Sequence, residues 1–301
     1  MLTHPRPSES AVRRRRGPPP VLWLVGGVHL LALLAIVASP RDWPWALGAV
    51  LLSHAVVTAL TLTPRTRWLG PNLVRLPADR AGLGEVALTI DDGPDPRTTP
   101  AVLDLLDAHG ARASFFCIGE RVARYPELAR DIVRRGHRVE NHTARHRLDF
   151  ALLGPRACHD EVAGGQALIL AATGVAPGYL RAPAGFRNPW CWPALERSGV
   201  RLASWTRRGF DTRDGDAARV LARLARGLAA GDILLLHDGH CARTPRGQPV
   251  ILEVLPPLLK LLRSRSLHAV ALPVAQQPGG EGAPESVPES APESGGSRPM
   301  R

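Results

Sequence analysis

The chain has 301 residues, room for one large α/β unit or about two average domains. Hydrophobic residues make up 45%, aromatics only 5% and charged residues 22%, which excludes both a wholly disordered chain and a polytopic membrane protein. The net charge of +11 is nearly all arginine, with Lys260 the one lysine, and it is spread as +4 over residues 1–20, +3 over 21–84, +6 over 85–274 and −2 over 275–301. No basic helix interleaved with aromatics and no zinc-finger spacing accompanies it, so nucleic acid is not expected as a partner.

A basic tail, 1–20, carries Arg13 to Arg16 and precedes an uncharged run from Val21 to Ser39. That run can cross a hydrocarbon core of about 30 Å at about 1.5 Å per residue. It exceeds a secretory h-region and ends in a poor cleavage context, Val37-Ala38-Ser39-Pro40, so an uncleaved anchor is expected. A second uncharged run, 46–62, is shorter and carries Ser53, His54, Thr58 and Thr61. Trp43 and Trp45 in the intervening turn suit a membrane interface, and Arg65 and Arg67 follow the second run. These flanks predict a helical hairpin, membrane anchor 21–62, with both ends cytoplasmic. If the second run lies along the interface, or packs against the soluble domain, that domain is outside the cytoplasm. Either way the location is the cell (inner) membrane, with a linker at 63–84.

Residues 85–274 alternate strand-like and helix-like pieces. Seven β-prone runs are expected at 86–90, 113–117, 137–140, 179–181, 201–204, 233–236 and 267–270. Thr98-Thr99-Pro100 opens a helix that Gly110 closes; Tyr125-Pro126 opens another that Gly136 ends; Gly174, Gly199 and Gly231 stop three more. The helix after 113–117 is expected to begin late, beyond Glu120. Repeated β-then-α units require a parallel sheet, and seven strands favour a distorted (β/α) barrel, closed or nearly so. The tail at 275–301 repeats Pro-Glu-Ser and is expected to be disordered.

Polar side chains collect at the predicted strand ends. Asp91 and Asp92 follow the first strand in Thr89-Ile90-Asp91-Asp92-Gly93-Pro94, a string that also makes an ordinary turn. His142 and His146 follow the third strand at i, i+4, a spacing that on a helical turn lets two imidazoles grip one divalent ion. Two histidines and a carboxylate leave a position open for water, as a catalytic metal site does. Arg181 ends the fourth strand and alone reads as a surface Arg before a turn; Asp211 follows the fifth and alone reads as a helix cap; His237, after four apolar residues at the tip of the sixth, is poorly explained as a core residue. Five strands delivering polar groups to the face where αβ barrels keep their active sites argues for an enzyme. Cys117, Cys158, Cys191 and Cys241 lack C-x-x-C spacing and read as buried thiols.

The ordered set Thr89-Ile90-Asp91-Asp92-Gly93-Pro94, His142 to His146, Arg181-Ala182-Pro183-Ala184-Gly185, Asp211 and Leu236-His237 resembles the motif series of the polysaccharide deacetylases, the NodB-homology domain of carbohydrate esterase family 4. The resemblance covers about residues 85–274. It implies a distorted (β/α) barrel, commonly of seven strands, and metal-dependent hydrolysis of N-acetyl groups on amino-sugar polymers or glycoconjugates. By the same resemblance Asp92, His142 and His146 hold the metal, usually Zn²⁺. Asp91 is the general base, His237 the acid that protonates the leaving amine, Arg181 the partner of Asp91 and Asp211 that of His237. A backbone N–H at Ala184, where the family often has Tyr, polarises the acyl oxygen. Asp211 lacks the Trp that often follows it in the family, and Trp205 is the candidate to replace that wall.

The expected function is therefore a membrane-anchored, metal-dependent deacetylase. Its partners are an N-acetylated glycan or lipid-linked saccharide and the membrane. Two alternatives stand beside it: a deformylase or deacylase of a lipid-linked sugar at the cytoplasmic leaflet, and a catalytically silent carbohydrate-binding homologue.

Overall fold

The computed structural model describes residues 18–274, so most of the basic tail and all of the segment from 275 onward lie outside the described residues. Two apolar helices come first, α1 (Pro20–Ala38) and α2 (Trp43–Thr61), joined by a 3₁₀ turn at Pro40–Asp42 and packed on each other. Helix α2 begins a turn earlier than the apolar run suggests, because Pro44 in its first turn supplies a pre-set helical φ where no N–H partner exists. Both helices are long and apolar enough to cross a membrane.

Residues 63–84, expected as a linker, are docked on the barrel. Leu69 and Leu76 are buried, the Leu73 N–H donates to the Leu202 carbonyl, and the Leu76 N–H donates to that of Gly231. A short helix, α3 (Ala78–Gly82), leads into the first strand.

The barrel then runs β1 (Glu85–Gly93), α4 (Thr99–Ala108), β2 (Ala113–Cys117), α5 (Gly119–Arg124), α6 (Pro126–Arg134), β3 (Arg138–Asn141), α7 (Pro155–Thr173), β4 (Tyr179–Leu180) and α8 (Cys191–Ser198). It continues with β5 (Arg201–Leu202), β6 (Arg207–Arg208), α9 (Ala217–Ala225), β7 (Ile233–His237), α10 (Val250–Ser264) and β8 (His268–Val270). Seven parallel strands lie in the order β5-β4-β3-β2-β1-β7-β6, and β8 pairs with the start of β1. The two ends of this path, β5 and β6, are joined by the chain at 203–206 and leave the barrel incompletely closed. The fold is the distorted seven-stranded barrel that the strand count implies.

Local differences from expectation have identifiable causes. Strand β6 is two residues long and consists of Arg207 and Arg208, a composition with no strand signal. Helix α5 starts at Gly119, directly after β2, where the Gly119 and Glu120 N–H groups donate to Thr143 and Ala144 carbonyls instead of needing a cap. Helix α9 ends at Arg226, while Gly231, with φ +82°, makes the later turn into β7. Helices α7 and α8 do stop at left-handed Gly174 and Gly199.

Strand periodicity decides which residues reach the site. Val86, Leu88 and Ile90 of β1 and Leu234 and Leu236 of β7 pack outward with helix residues such as Leu103, Val254 and Leu258. The alternate positions point inward, and the parallel register pairs Ala87 with Ile233, Thr89 with Leu235, and Asp91 with His237. The pairing places Asp91 and His237 side by side at the C-terminal mouth. Leu234 is fully buried in the outer layer, so Leu234→Ala is expected to cost about 2–5 kcal/mol. Chemical unfolding of the full chain in detergent checks this by a lowered midpoint at unchanged slope.

Candidate active site

Neighbouring residues on a strand normally face opposite ways, yet Asp91 and Asp92 share one cavity. The β1–β2 register slips between Asp91 and Gly93, and Asp92 adopts φ +73°, which swings its carboxylate back toward the barrel mouth. Both acids are buried, at 3% and 4% exposure.

Asp91 is held by Arg181. Arg181 Nη1 donates to Asp91 Oδ1 at 2.6 Å and to Thr89 Oγ1 at 2.8 Å, while Nη2 and Nε donate to the Ser204 and Ala203 carbonyls. The guanidinium lies 4.0 Å above the Phe116 ring and is itself 1% exposed. Asp91 Oδ2 stays outside this clamp and faces His142 Nε2 at 3.8 Å.

Asp92 meets the histidines. His142 Nε2 and His146 Nε2 each lie 3.3 Å from Asp92 Oδ1. His142 Nδ1 is 2.8 Å from the Arg181 carbonyl, an acceptor, so Nδ1 carries the proton and Nε2 presents a lone pair. Asp92 Oδ1 is a buried oxygen without a hydrogen-bond donor, and the three ligand atoms fall within 4.8 Å of one another. An orphaned carboxylate oxygen facing two imidazole nitrogens fits a divalent cation with N/O ligands and an open position. Burial pushes the Asp92 carboxyl up, but the imidazoles of His142 and His240 that face it outweigh burial and hold it well below the usual carboxylate range. Burial and the charge of His142 pull His146 down to about 4, keeping it neutral and ready to ligate.

The two histidines do not sit on a helical turn. Residues 142–147 form a loop in which Thr143 and His146 take φ +66° and +54°. The buried Glu161 of α7 ties this loop down: its carboxylate accepts from the Arg145 N–H at 3.0 Å and from Arg145 Nε at 2.6 Å, and its carbonyl accepts from the Ala144 N–H. Gly165 lets α7 approach, since a Cβ there would come 2.3 Å from Asn141 Oδ1.

Beside Asp91, on the neighbouring strand, stands His237. Asp211 accepts from the His237 N–H at 2.7 Å and lies 3.0 Å from His237 Nδ1, with its side chain fully buried. Burial works against the imidazolium, but the charge and hydrogen bond of Asp211 prevail and raise His237 to about 9. Ala184, in the loop after β4, takes φ +53° and lines the cavity with Gly185, Trp205, Arg208, Thr212 and Leu235. Trp205 does form an aromatic wall. All eight sequence-predicted positions are at this mouth: Ala184 and the five groups Asp91, Asp92, His142, His146 and His237 line one cavity of about 130 Å³, and Arg181 and Asp211 stand behind it.

His240 escaped the sequence reading. Its Nδ1 lies 3.1 Å from Asp92 Oδ2, and Arg121 Nη2 is 3.2 Å from its Nε2 while Arg121 Nη1 donates to the Asp92 carbonyl. Since guanidinium only donates, Nε2 accepts and Nδ1 donates, which fixes the Asp92 carboxylate with Oδ1 toward the imidazoles. A histidine three residues past His237, on an irregular loop, has no periodic signal to mark it. Arg208 was missed for the same reason as β6.

Residues 79–203 match the family model described as polysaccharide deacetylase. A chitooligosaccharide deacetylase of Bradyrhizobium is 37% identical over 163 residues, covering 54% of this chain and 74% of that protein. A peptidoglycan-N-acetylglucosamine deacetylase of Bacillus cereus is 33% identical over 179 residues, covering 58% of this chain and 82% of the relative. The structure of a family 4 carbohydrate esterase from Streptomyces lividans in complex with acetate matches with a TM-score of 0.56 at 28% identity, over 62% of this chain and 91% of that one. A family pseudoenzyme from Bacillus anthracis matches in fold with a TM-score of 0.59 at 22% identity, over 67% of each chain.

Loss of the His240 hydrogen bond frees Asp92 to rotate away from the imidazoles. His240→Ala is therefore expected to weaken Zn²⁺ binding about 10–100-fold, read by competition with a chromogenic chelator. Unchanged affinity would show that Asp92 needs no such support.

Proposed function

We propose, from the premise that this chain belongs to the polysaccharide deacetylase family, that it is a membrane-anchored, metal-dependent hydrolase removing N-acetyl groups from an amino-sugar glycan or glycoconjugate. One observation carries the reading: a carboxylate–bis-histidine cluster shares a cavity with a buried Asp–Arg pair and a buried His–Asp pair. The relatives named as chitooligosaccharide and peptidoglycan deacetylases support an N-acetylglucosamine unit as the reacting sugar. A fold likeness extends equally to a pseudoenzyme, so activity rests on these side chains and not on the barrel. A silent binding protein has no use for an acid poised opposite a base, and both are present here.

Asp92, His142 and His146 would hold the cation, proposed as Zn²⁺. When bound it supplies Lewis acidity, lowering the pKa of a water and polarising the acyl oxygen. Asp91 takes the proton of the attacking water; Arg181, by holding Oδ1, aims Oδ2 at the cavity. The water oxygen bonds to the acyl carbon, and the Ala184 N–H donates to the oxygen that gains charge. His237, kept protonated by Asp211, gives its proton to the sugar nitrogen as the C–N bond breaks, releasing acetate and the free amine.

Membrane anchoring by α1 and α2 is part of the same proposal. Leu31, Leu34, Val37, Leu51 and Leu52 are exposed along the hairpin, apolar surface that a bilayer would cover. Basic residues ahead of α1 and after α2 support a cytoplasmic catalytic domain.

In detergent, full-length protein with Zn²⁺ is expected to release acetate from chitotetraose. Asp91→Asn should lower kcat by about 100-fold or more, and chelation should abolish turnover until Zn²⁺ is returned. No acetate with metal bound would overturn the deacetylase reading. The pH profile carries a second test. His237 is raised above its ordinary 6.5, so its pairing with Asp211 stabilises fully below that value and is lost as pH rises through about 9. A bound cation draws that limit down, so kcat/KM should fall on an alkaline limb at or below pH 9, a limb absent in His237→Ala. For topology, a C-terminal reporter active only in the cytoplasm is expected, and a reporter active only outside it would refute the hairpin.

A further inference from the structure

The segment leaving α2 is built into the wall of the active site. The Thr61 carbonyl, at the last residue of α2, accepts from the Arg187 N–H. The Arg187 guanidinium, 2% exposed and without a carboxylate partner among the described residues, donates to the Pro64 and Thr66 carbonyls at 3.2 and 2.7 Å. Ser204 Oγ donates to the same Pro64 carbonyl at 2.7 Å. Pro64 also presses on Gly185: a Cβ at that left-handed position would stand 2.6 Å from Pro64 Cβ and from the Trp205 ring. Gly185 and Trp205 both line the cavity. The mouth is thus fixed within a few residues of the membrane exit, with no slack tether between them.

Large apolar side chains are exposed on two of the loops that follow strands and on the exit segment. Leu148 and Leu152, in the loop after β3, are 89% and 83% exposed, and Trp190, after β4, and Trp68, on the exit segment, are also exposed. Exposed leucine and tryptophan beside a membrane exit suit an interface between headgroups and acyl chains. The cavity of about 130 Å³ admits only the reacting end of a substrate, since pockets that enclose whole ligands run to about 300–1,000 Å³. The rest of the substrate lies outside it.

One cation in the cavity is uncommitted. Arg207 is consumed by Asp232 at 2.7 Å, but Arg208, which lines the cavity, has no carboxylate partner among the described residues and a buried Nε without an acceptor. Its guanidinium is stiffened over the rings of Trp205 and Phe210, at 5.6 and 5.1 Å. A rigid, unpaired guanidinium at the edge of an active site is suited to a phosphate, which takes two of its N–H groups at once.

We propose that the site takes its N-acetyl amino sugar from a lipid carrier in the bilayer, with Arg208 receiving the phosphate that joins sugar to lipid. The proposal rests on the deacetylase reading and narrows its substrate class to a membrane-borne, phosphate-linked amino sugar.

The test uses full-length protein in nanodiscs with Zn²⁺ and three probes: N-acetylglucosaminyl-diphosphoryl-polyprenol in the same disc, soluble N-acetylglucosamine 1-phosphate, and chitotetraose. Acetate release from the lipid probe is expected to exceed that from either soluble probe by about tenfold or more in kcat/KM. Arg208→Gln should lower the ratio of lipid to chitotetraose turnover by about tenfold, and Arg208→Lys should restore part of it. Because both rates come from one preparation, the ratio does not depend on how much of a variant folds. Chitotetraose turned over as well as the lipid, or a ratio indifferent to Arg208→Gln, overturns the proposal. Equal turnover of the soluble phosphate overturns its lipid half. Acetate from none of the three instead overturns the deacetylase reading itself.

Discussion

The buried ion pair between Arg181 and Asp91 is the interaction on which the barrel interior depends. Two charges in a space closed to water lose several kcal/mol of hydration each, in order of magnitude, and their attraction offsets that only if the remaining donors are satisfied. Thr89 and the carbonyls of Ala203 and Ser204 take three of the other four guanidinium hydrogens, and the Phe116 face covers the plane. Burial pulls Arg181 down from its ordinary value, against the charge and hydrogen bond of Asp91. Removing either partner would leave an uncompensated charge in the middle of the fold, so the pair is a structural constraint as well as a chemical one.

That constraint also separates two adjacent acids. Asp91 faces a fixed cation, whereas Asp92, turned by its left-handed backbone, faces His142, His146 and His240. Same side chain, consecutive positions, different surroundings: one carboxylate is paired with a guanidinium and the other is surrounded by imidazoles. On the adjacent strand, the β1–β7 register brings His237 beside Asp91, and Asp211 behind it favours the imidazolium. Asp91 and His237 are thereby each held by a partner that does not itself line the cavity.

Much of this was legible in the sequence because strand ends and short motifs carry it. Seven of the eight strands, the outward apolar rows of β1 and β7, and the polar residues at the barrel mouth all follow from period-two patterning and from Gly and Pro punctuation. What escaped has long-range causes. The loop of His142 and His146 resembles a helical turn by spacing alone, and only Glu161 and Gly165, on the far side of that loop in the chain, impose its bent path. Strand β6 exists because Arg207 is drawn to Asp232 and the chain must return to β7, neither of which has a local propensity behind it. His240 reaches Asp92 from a loop, and Arg208 reaches the cavity from β6, so neither falls on a periodic face.

Residues 63–76 show most clearly how a segment can lack a signal and still belong to the chemistry. By composition they separate an apolar hairpin from a barrel. In space the Pro64 carbonyl collects donors from Asn72, Arg187 and Ser204, and Ser204 in turn accepts from Arg181 through its carbonyl. A hydrogen-bonded path therefore runs from the end of α2 through Pro64, Ser204 and Arg181 to Asp91. Cutting the chain at the start of β1 would remove the acceptor that orders Arg187 and the surface against which Gly185 rests. Helix α2 and Asp91 are consequently joined through one hydrogen-bonded assembly, and the position of the cavity relative to α2 is set by covalent and hydrogen-bonded geometry rather than by a tether.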